Sequence, residues 1–304
     1  MGAKRDMALL VGDNPFHHIS HWSQERAKAR GDKLKDPEYA ADLISISVDN
    51  GANGFMFSVS ETTLSILRVL HERGEIGRLT FYAIVPYAFE YVRLANKLGG
   101  VPGLAKKFAK EIVLSGNLWA ASRGLKGVLC ADLASIMKAY LSYEISRITS
   151  SGGKKANLQS VMLHELITDM ALAFNLDWLF KAYIDFMLKC TVTPGFNTGN
   201  FAFLVKKFRE WNIDLKKITV AAPFNKVGFQ MIPSKTECEK ALESFHEPIV
   251  IAISILAAGY LQPIEAIDYI TSLPNIRGVA VGVSREKHAR ETFSLINERL
   301  ALCK

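Results

Sequence analysis

The stretch that decides the fold is residues 248–288, PIVIAISILAAGYLQPIEAIDYITSLPNIRGVAVGVSREKH. It contains an apolar segment, a turn with a glycine, a helical pattern that begins near Pro263, a second apolar segment and a new helix start at Ser284. Proline suits the first turn of a helix. Two apolar strands joined by a helix are typical of a parallel strand-helix-strand unit.

The same alternation recurs along the chain. Short apolar runs predict strands at residues 7–12, 54–58, 79–85, 158–164, 189–193, 218–222, 249–253 and 279–283. Continuous apolar strands alternating with helices indicate a parallel sheet that is covered on both faces. Eight such units predict an α/β chain that folds as a (β/α)8 TIM barrel. A doubly wound open sheet is the alternative, but no GxGxxG follows the first strand.

Residues 88–156 interrupt this alternation with amphipathic helical patterns separated by GGVPG and SGN. We predict a single barrel domain over residues 1–304, with residues 88–156 as a helical insertion between the third and fourth strands. The segment holds eleven basic and four acidic residues, an excess that equals the net charge of +7 of the whole chain. A basic segment can attract phosphates or nucleic acid. A solvated helical face, a lid and a surface for homo-oligomer formation are equally open interpretations.

Composition and cysteine usage restrict the class of protein. The chain has 304 residues, of which 49% are hydrophobic and 22% are charged, enough to bury a large core. We expect no signal peptide and no membrane span, because no apolar run approaches ~18 residues. Cys130, Cys190, Cys238 and Cys303 form no CxxC pair, so we expect reduced thiols and a cytoplasmic protein.

Active sites of TIM barrels lie at the carboxyl ends of the strands. The polar residues that follow each predicted strand are therefore the candidates for chemistry. They are Asp13, Asn14, His17, His18, Ser58, Ser60, Glu61, Tyr87, Glu90, His164, Glu165, Asp169, Asn197, Asn200, Asn225, Lys226, Ser254, Tyr260, Ser284 and Arg285.

The first and fourth strand ends carry the richest chemistry. Asp13, His164 and Glu165 are the predicted catalytic residues, because a histidine beside a carboxylate can exchange protons near neutral pH. Asp13, His17, His164 and Glu165 could instead bind a divalent metal through nitrogen and oxygen. A polar loop around His17 and a hydrogen-bonded structural role for His164 are the alternatives.

The seventh and eighth strand ends predict an anion-binding or cofactor-binding site. Amide groups at a helix start attract anions, and this part of a TIM barrel frequently binds phosphate. Gly259 and Gly282 would let a ligand approach the backbone. The predicted site contains Gly259, Gly282, Ser284 and Arg285, with Asn197 as a polar partner, although Ser284 could equally be an ordinary helix cap.

The C-terminal half, residues 158–295, resembles the aldo-keto reductase barrels. The matching pieces are VMLH ending at His164, GFNTGNF around Asn197 and Asn200, SILAAG before PIEAIDYI, and VGVSREKHARETF, in the order in which that family has them. The resemblance implies NAD(P) as cofactor, with Arg285 or Arg290 near a nucleotide phosphate. It also implies that His164 corresponds to the histidine of the family's catalytic tetrad.

The N-terminal half departs from that family. The catalytic Asp of the family would fall near Ser58, and its Lys near Val85 or Pro86, but this chain has neither residue at those places. The chain therefore resembles a diverged relative of the family.

Three functions are compatible with these residues. The leading hypothesis is an enzyme that acts on a small anionic compound, expected to be phosphorylated, by acid/base or metal-assisted chemistry. The second is an NAD(P)-dependent oxidoreductase, and the third is a non-catalytic protein that binds nucleic acid or a protein partner through the basic insertion.

Overall fold

The computed structural model describes residues 7–17, 32–87 and 133–302. Eight parallel strands form a closed barrel in which each strand pairs with the next, and the last pairs with the first. The strands are β1 (Ala8–Gly12), β2 (Gly54–Ser58), β3 (Thr80–Val85), β4 (Asn157–Leu163), β5 (Thr193–Asn197), β6 (Thr219–Pro223), β7 (Ile249–Ile253) and β8 (Ile276–Gly282). The predicted (β/α)8 barrel is confirmed.

Nine α-helices lie within the described ranges. They are α1 (Pro37–Asp49), α2 (Glu61–Glu72), α3 (Leu133–Gly152), α4 (Glu165–Ala173), α5 (Asp177–Lys189), α6 (Phe201–Glu210), α7 (Lys235–Glu243), α8 (Pro263–Ser272) and α9 (Glu286–Leu302). Short polar residues begin several of them, because their side chains accept hydrogen bonds from the first free amide groups. Asp36 accepts from Glu38 N at 3.0 Å at the start of α1, and Ser60 accepts from Thr63 N at 3.2 Å at the start of α2.

Two separate apolar cores hold the barrel together. The larger lies between strands and helices and contains Phe55, Phe81 and Phe196. The smaller fills the inside of the barrel with Leu10, Met56, Tyr82, Ile84, Met162, Ala221 and Ile251. Since these side chains fill its centre, the barrel is a packed core and can bind ligands only at its two ends.

The predicted position of the fifth strand was wrong. Lys189 is the last residue of α5, and β5 begins at Thr193 and includes Pro194 and Gly195. Because proline and glycine are unfavourable in most strands, the sequence of residues 193–197 did not indicate a strand. Here the glycine is required, because a Cβ at position 195 would lie 2.2 Å from Met162 Cγ.

The C-terminal part of the predicted insertion forms the long helix α3, which packs against α2 and α5. Arg147 connects α3 to α2, since its guanidinium bonds Glu144 at 3.1 Å and Glu61 at 2.6 Å. Residues 88–132 of the insertion lie outside the described residues. No helix in the described part of the chain is long and apolar enough to cross a membrane.

Candidate active site

The inward positions at the carboxyl ends of the strands form the mouth of the barrel. Side chains alternate along a strand, so Ser58 follows the inward Met56, and His164 follows the inward Met162. Asn197 follows Gly195, whose missing side chain faces Met162. Three polar residues from β2, β4 and β5 therefore lie at this mouth.

Asp13 places a carboxylate at the end of β2. It follows β1 and is 5% exposed, and its Oδ2 accepts a hydrogen bond from Ser58 N at 2.6 Å. The resemblance to the aldo-keto reductases places a catalytic Asp near Ser58, where the sequence has none. The structure brings a carboxylate to that place from the neighbouring strand.

His17 connects Asp13 with the end of β3. It lies in a short 3-10 turn, Asn14–His17, and its Nε2 is 3.1 Å from Asp13 Oδ2. The other face of the imidazole stacks on Tyr87, with 4.6 Å between the ring centroids and an angle of 30°. Asp13, His17 and Tyr87 therefore form one buried cluster, which we name the Asp13 cluster.

His164 lies close enough to this cluster for Asp13 to influence its charge. Burial lowers the pKa of His164, and the negative charge of Asp13 partly opposes this effect. His164 Nδ1 accepts a hydrogen bond from Leu166 N at 3.1 Å, at the start of α4. An accepting Nδ1 carries no proton, so the neutral ring has its proton on Nε2. His164 is therefore a neutral hydrogen-bond donor at neutral pH.

Glu165 and Asp169 form a carboxyl pair on α4. Thr198 Oγ1 donates to Asp169 Oδ1, and Gly199 N donates to Asp169 Oδ2 at 3.1 Å. Burial raises the pKa of Asp169, although these two hydrogen bonds lower it. Glu165 as a whole is exposed, but its carboxyl faces Gly199, since a Cβ at position 199 would lie 2.8 Å from Glu165 Oε1. Partial desolvation of this carboxyl and the charge of Asp169 raise the pKa of Glu165. Thr198, between the two asparagines of GFNTGN, was not among the residues predicted from the sequence.

The proposed four metal ligands do not form one cluster. Asp13 and His17 are hydrogen-bonded, but the carboxyl of Glu165 lies beside Asp169 and Gly199. Among the described residues, no group of three or more His, Cys, Asp or Glu side chains is arranged to bind a metal ion. The metal site remains a prediction from the sequence. His18 and Glu90 lie outside the described residues.

The seventh and eighth strand ends contain an unusual backbone and an exposed cation. Gly259 has a φ of 89° and follows Ala257 and Ala258, which also have positive φ values. Such values are costly for alanine, and they occur preferentially at ligand-binding segments. Ser284 and the exposed Arg285 precede the first residue of α9.

Gly282 has a structural role as well. A Cβ at this position would lie 2.8 Å from Pro15 Cδ. The missing side chain is therefore needed for packing between β8 and the 3-10 turn after β1, whether or not a ligand binds there.

Asn197 is the clearest candidate for contact with a ligand. Its side chain is 8% exposed, and within the described part of the chain its Oδ1 has no hydrogen-bond partner. A buried acceptor without a partner is costly, so such atoms usually have a ligand or a water as partner. Asn200 Oδ1 is likewise buried and has no hydrogen-bond partner among the described residues.

The polar residues after β6 and β7 already have partners in their own loop, in the neighbouring loop or in the helix α8. Asn225 Nδ2 donates to Phe229 O at 2.8 Å, and its Oδ1 accepts from Phe229 N at 2.7 Å. Lys226 pairs with Glu265, and Ser254 lies 3.3 Å from Gln230 Oε1. These contacts give three of the candidate rim residues a structural role.

Comparison with known proteins gives similarity at the level of structure. No model of a protein family matches the sequence, and the curated proteins include no significant match to it. A Pseudomonas aeruginosa protein provisionally described as an aldo-keto reductase matches with a TM-score of 0.60 and 12% identity, over 96% of this chain and 91% of that one. An aldo-keto reductase from Bacillus halodurans in its holo form matches with a TM-score of 0.57 and 8% identity, over 97% and 91%.

A third structure gives the same result. The aldose reductase of Schistosoma japonicum matches with a TM-score of 0.51 and 11% identity, over 97% of this chain and 87% of that one. At such identities the similarity is one of fold. The resemblance seen in the sequence is confirmed at that level: the chain has the barrel fold of the aldo-keto reductases in a diverged form.

Proposed function

We propose that the protein is an NAD(P)-dependent oxidoreductase that reduces a small carbonyl compound at the carboxyl-terminal mouth of its barrel. The observation that carries the proposal is the Asp13 cluster beside His164. It supplies a carboxylate, a bonded imidazole and a phenol next to a second imidazole, whose Nε2 can donate a hydrogen bond. These groups lie at the ends of β1, β3 and β4, in a barrel with the fold of the aldo-keto reductases.

The residues around the mouth fit a nicotinamide dinucleotide. Asn197 Oδ1 is a buried acceptor without a described partner, which suits the amide hydrogens of a carboxamide. The exposed Arg285 and the amide groups at the start of α9 suit a phosphate. When bound, the nicotinamide would supply the hydride.

The side chains at the mouth would bind and protonate the carbonyl oxygen. His164 donates from Nε2, which orients the carbonyl group and polarises it. His17 Nε2 lies 3.1 Å from Asp13 Oδ2, so a proton can pass between these two groups. The Asp13 cluster therefore serves as the proton source, and the stacked ring of Tyr87 holds the imidazole of His17 in place.

The first experiment tests the cofactor. NADH or NADPH is titrated into the protein while nicotinamide fluorescence and the melting temperature are recorded. We expect saturable binding and a higher melting temperature. Absence of binding by both dinucleotides would contradict the proposal.

The second experiment tests the residues, with cofactor oxidation measured on a set of aldehydes and ketones. Asp13→Asn and His164→Ala should retain cofactor binding and lose kcat/KM by ~100-fold or more, as expected for general acid groups. His246→Ala is the control, because this exposed histidine precedes β7 at the opposite end of the barrel. An equal loss in the control variant would count against a specific role for His164.

Acid/base chemistry on an anionic compound is the second candidate. The raised pKa values of Glu165 and Asp169 favour it, since a higher pKa brings a carboxyl closer to the pH range in which it can transfer protons. This candidate takes precedence if neither dinucleotide binds.

A further inference from the structure

The opposite end of the barrel contains an open cavity of about 580 Å³. This volume lies within the range of ~300–1,000 Å³ that is typical of small-molecule sites. The cavity lies at the amino-terminal ends of β1, β7 and β8, so it is separated from the candidate active site by the apolar side chains inside the barrel. Its walls are largely apolar and include Met7, Ala8, Ile249, Leu273, Ile276 and Leu300.

The inner end of this cavity carries a polar group without a partner. Tyr82 lines the cavity and is 5% exposed, and its pKa is raised by burial. None of the described residues forms a hydrogen bond with its hydroxyl group. Ser160, which pairs with Tyr82 across β3 and β4, has a buried hydroxyl without a described partner. The hydroxyl of Tyr82, in the wall of the cavity, is therefore available to a ligand atom that can form a hydrogen bond.

The rim of the cavity carries a positive charge. Arg277 lines it, and one guanidinium nitrogen donates to His246 O at 2.7 Å. Within residues 7–17, 32–87 and 133–302, no carboxylate forms an ion pair with Arg277. The remaining guanidinium hydrogens are therefore available to an anion, which arginine binds through strong charge-assisted hydrogen bonds.

We propose that this cavity is a second ligand site, specific for a small amphipathic carboxylate. Arg277 binds the carboxylate at the rim, the apolar walls cover the hydrocarbon body, and the hydroxyl of Tyr82 bonds a polar group at the inner end. The site is independent of the function proposed for the opposite mouth. The strongest expected ligand is a medium-length hydroxy acid, with polar groups at both ends of an apolar chain.

Calorimetric titration of the full chain with octanoate, 8-hydroxyoctanoate and octanol tests this site. We expect saturable binding of both acids, ~5-fold tighter binding of the hydroxy acid than of octanoate, and much weaker binding of the alcohol. Absence of saturable binding of the acids, or equal affinity for octanol and octanoate, would overturn the proposal.

Two substitutions separate the contributions of the charge and the hydroxyl. Arg277→Gln should weaken binding of both acids by ~10-fold or more. Tyr82→Phe should remove the advantage of the hydroxy acid and leave octanoate binding unchanged. The control is Arg209→Gln, because Arg209 also donates to a backbone carbonyl of the same loop, that of Ser244, but lies outside the cavity.

Two further variants show whether a loss of binding is specific to this cavity. Arg209→Gln and His164→Ala should bind octanoate as the wild type does. Equal weakening by Arg209→Gln and Arg277→Gln would show a general loss of stability and would contradict the site. Binding that disappears in His164→Ala would place the ligand at the opposite mouth and would also contradict it.

Discussion

His164 is subject to two opposing electrostatic effects. Burial disfavours the charged imidazolium and lowers the pKa, while the carboxylate of Asp13 favours it and raises the pKa. Burial is the larger effect, so the ring is neutral above its lowered pKa. Substitution of Asp13 should therefore change the pKa of His164, and this change can be measured without a substrate.

Replacement of Asp13 by asparagine should lower the pKa of His164 further. The substitution removes the negative charge that raises this pKa and retains an oxygen that can accept from Ser58 N. Proton NMR titration of the His164 ring measures the pKa directly in both proteins. His246→Ala serves to assign signals and as a control. An unchanged or higher pKa in Asp13→Asn would contradict the electrostatic contact between Asp13 and His164.

The position of active sites at the carboxyl ends of barrel strands was enough to predict most residues of this site, but not their contacts. Asp13, His17, Tyr87 and His164 could be selected because each follows a recognisable apolar strand. Their grouping depends on the 3-10 turn after β1, which brings His17 under Tyr87. Such a turn depends on tertiary packing that no local pattern shows.

The direction of Glu165 could not be predicted for the same reason. Its neighbour His164 is the N-cap of α4, and Glu165 is the first residue of the helix, so the side chain of Glu165 points to Asp169 and not to Asp13. One residue along a helix changes the direction by about 100°. Adjacent positions in the sequence are therefore a poor guide to shared sites at helix starts.

Strand β5 shows how packing overrides local preference. The run before it has stronger strand-forming residues, yet Thr193–Asn197 is the strand. Tyr183 from α5 contributes to this choice, because its hydroxyl donates to Val161 O and accepts from Gly195 N at 3.3 Å. The inward space beside Gly195 is filled by Met162 and Ser160.

Replacement of Gly195 by alanine should destabilise the barrel by about 1–3 kcal/mol, the usual cost of an overpacked core. The added methyl group would lie 2.2 Å from Met162 Cγ and 2.6 Å from Ser160 Oγ. The free energy of unfolding is measured by urea titration with far-UV circular dichroism.

Gly77→Ala is the matched control, because nothing lies within 4 Å of the position that its Cβ would occupy. Its unfolding midpoint should remain close to that of the wild type. If Gly195→Ala unfolded at the same urea concentration as Gly77→Ala, the placement of Gly195 inside β5 would be wrong.

At the scale of the whole molecule, the barrel was predictable because each unit repeats the same physical requirement. A strand that is buried on both faces needs an apolar sequence and a covering helix. Eight repeats are enough for closure, and β1 pairs with β8 over five residue pairs, Ala8 with Gly278 through Gly12 with Gly282. The cavity at the amino-terminal end was not predicted, because Tyr82 lies inside the third strand and Arg277 precedes the predicted eighth strand, so neither follows the carboxyl end of a strand.

The carboxyl pair at the mouth should impose a pH dependence on the stability of the whole barrel. The pKa of Glu165 is raised above its ordinary value of 4.5, so the folded state retains this proton more firmly than the unfolded state does. The resulting stability is present below pH 4.5 and is lost as the pH rises through the raised pKa. The lowered pKa of His164 acts in the opposite direction, but it is common to the wild type and to variants at position 165.

As the pH rises from 4.5 to neutral, the free energy of unfolding should therefore decrease less for Glu165→Gln than for the wild type, because the variant has no proton to release at this position. Urea unfolding midpoints at several pH values in that interval measure the difference. Glu72→Gln removes one negative charge from the exposed end of α2 and should follow the wild type. Parallel curves for Glu165→Gln and the wild type would mean that Glu165 releases its proton equally easily in both states. In that case the carboxyl pair would not be available as an acid at the mouth, and the second candidate function would lose its support.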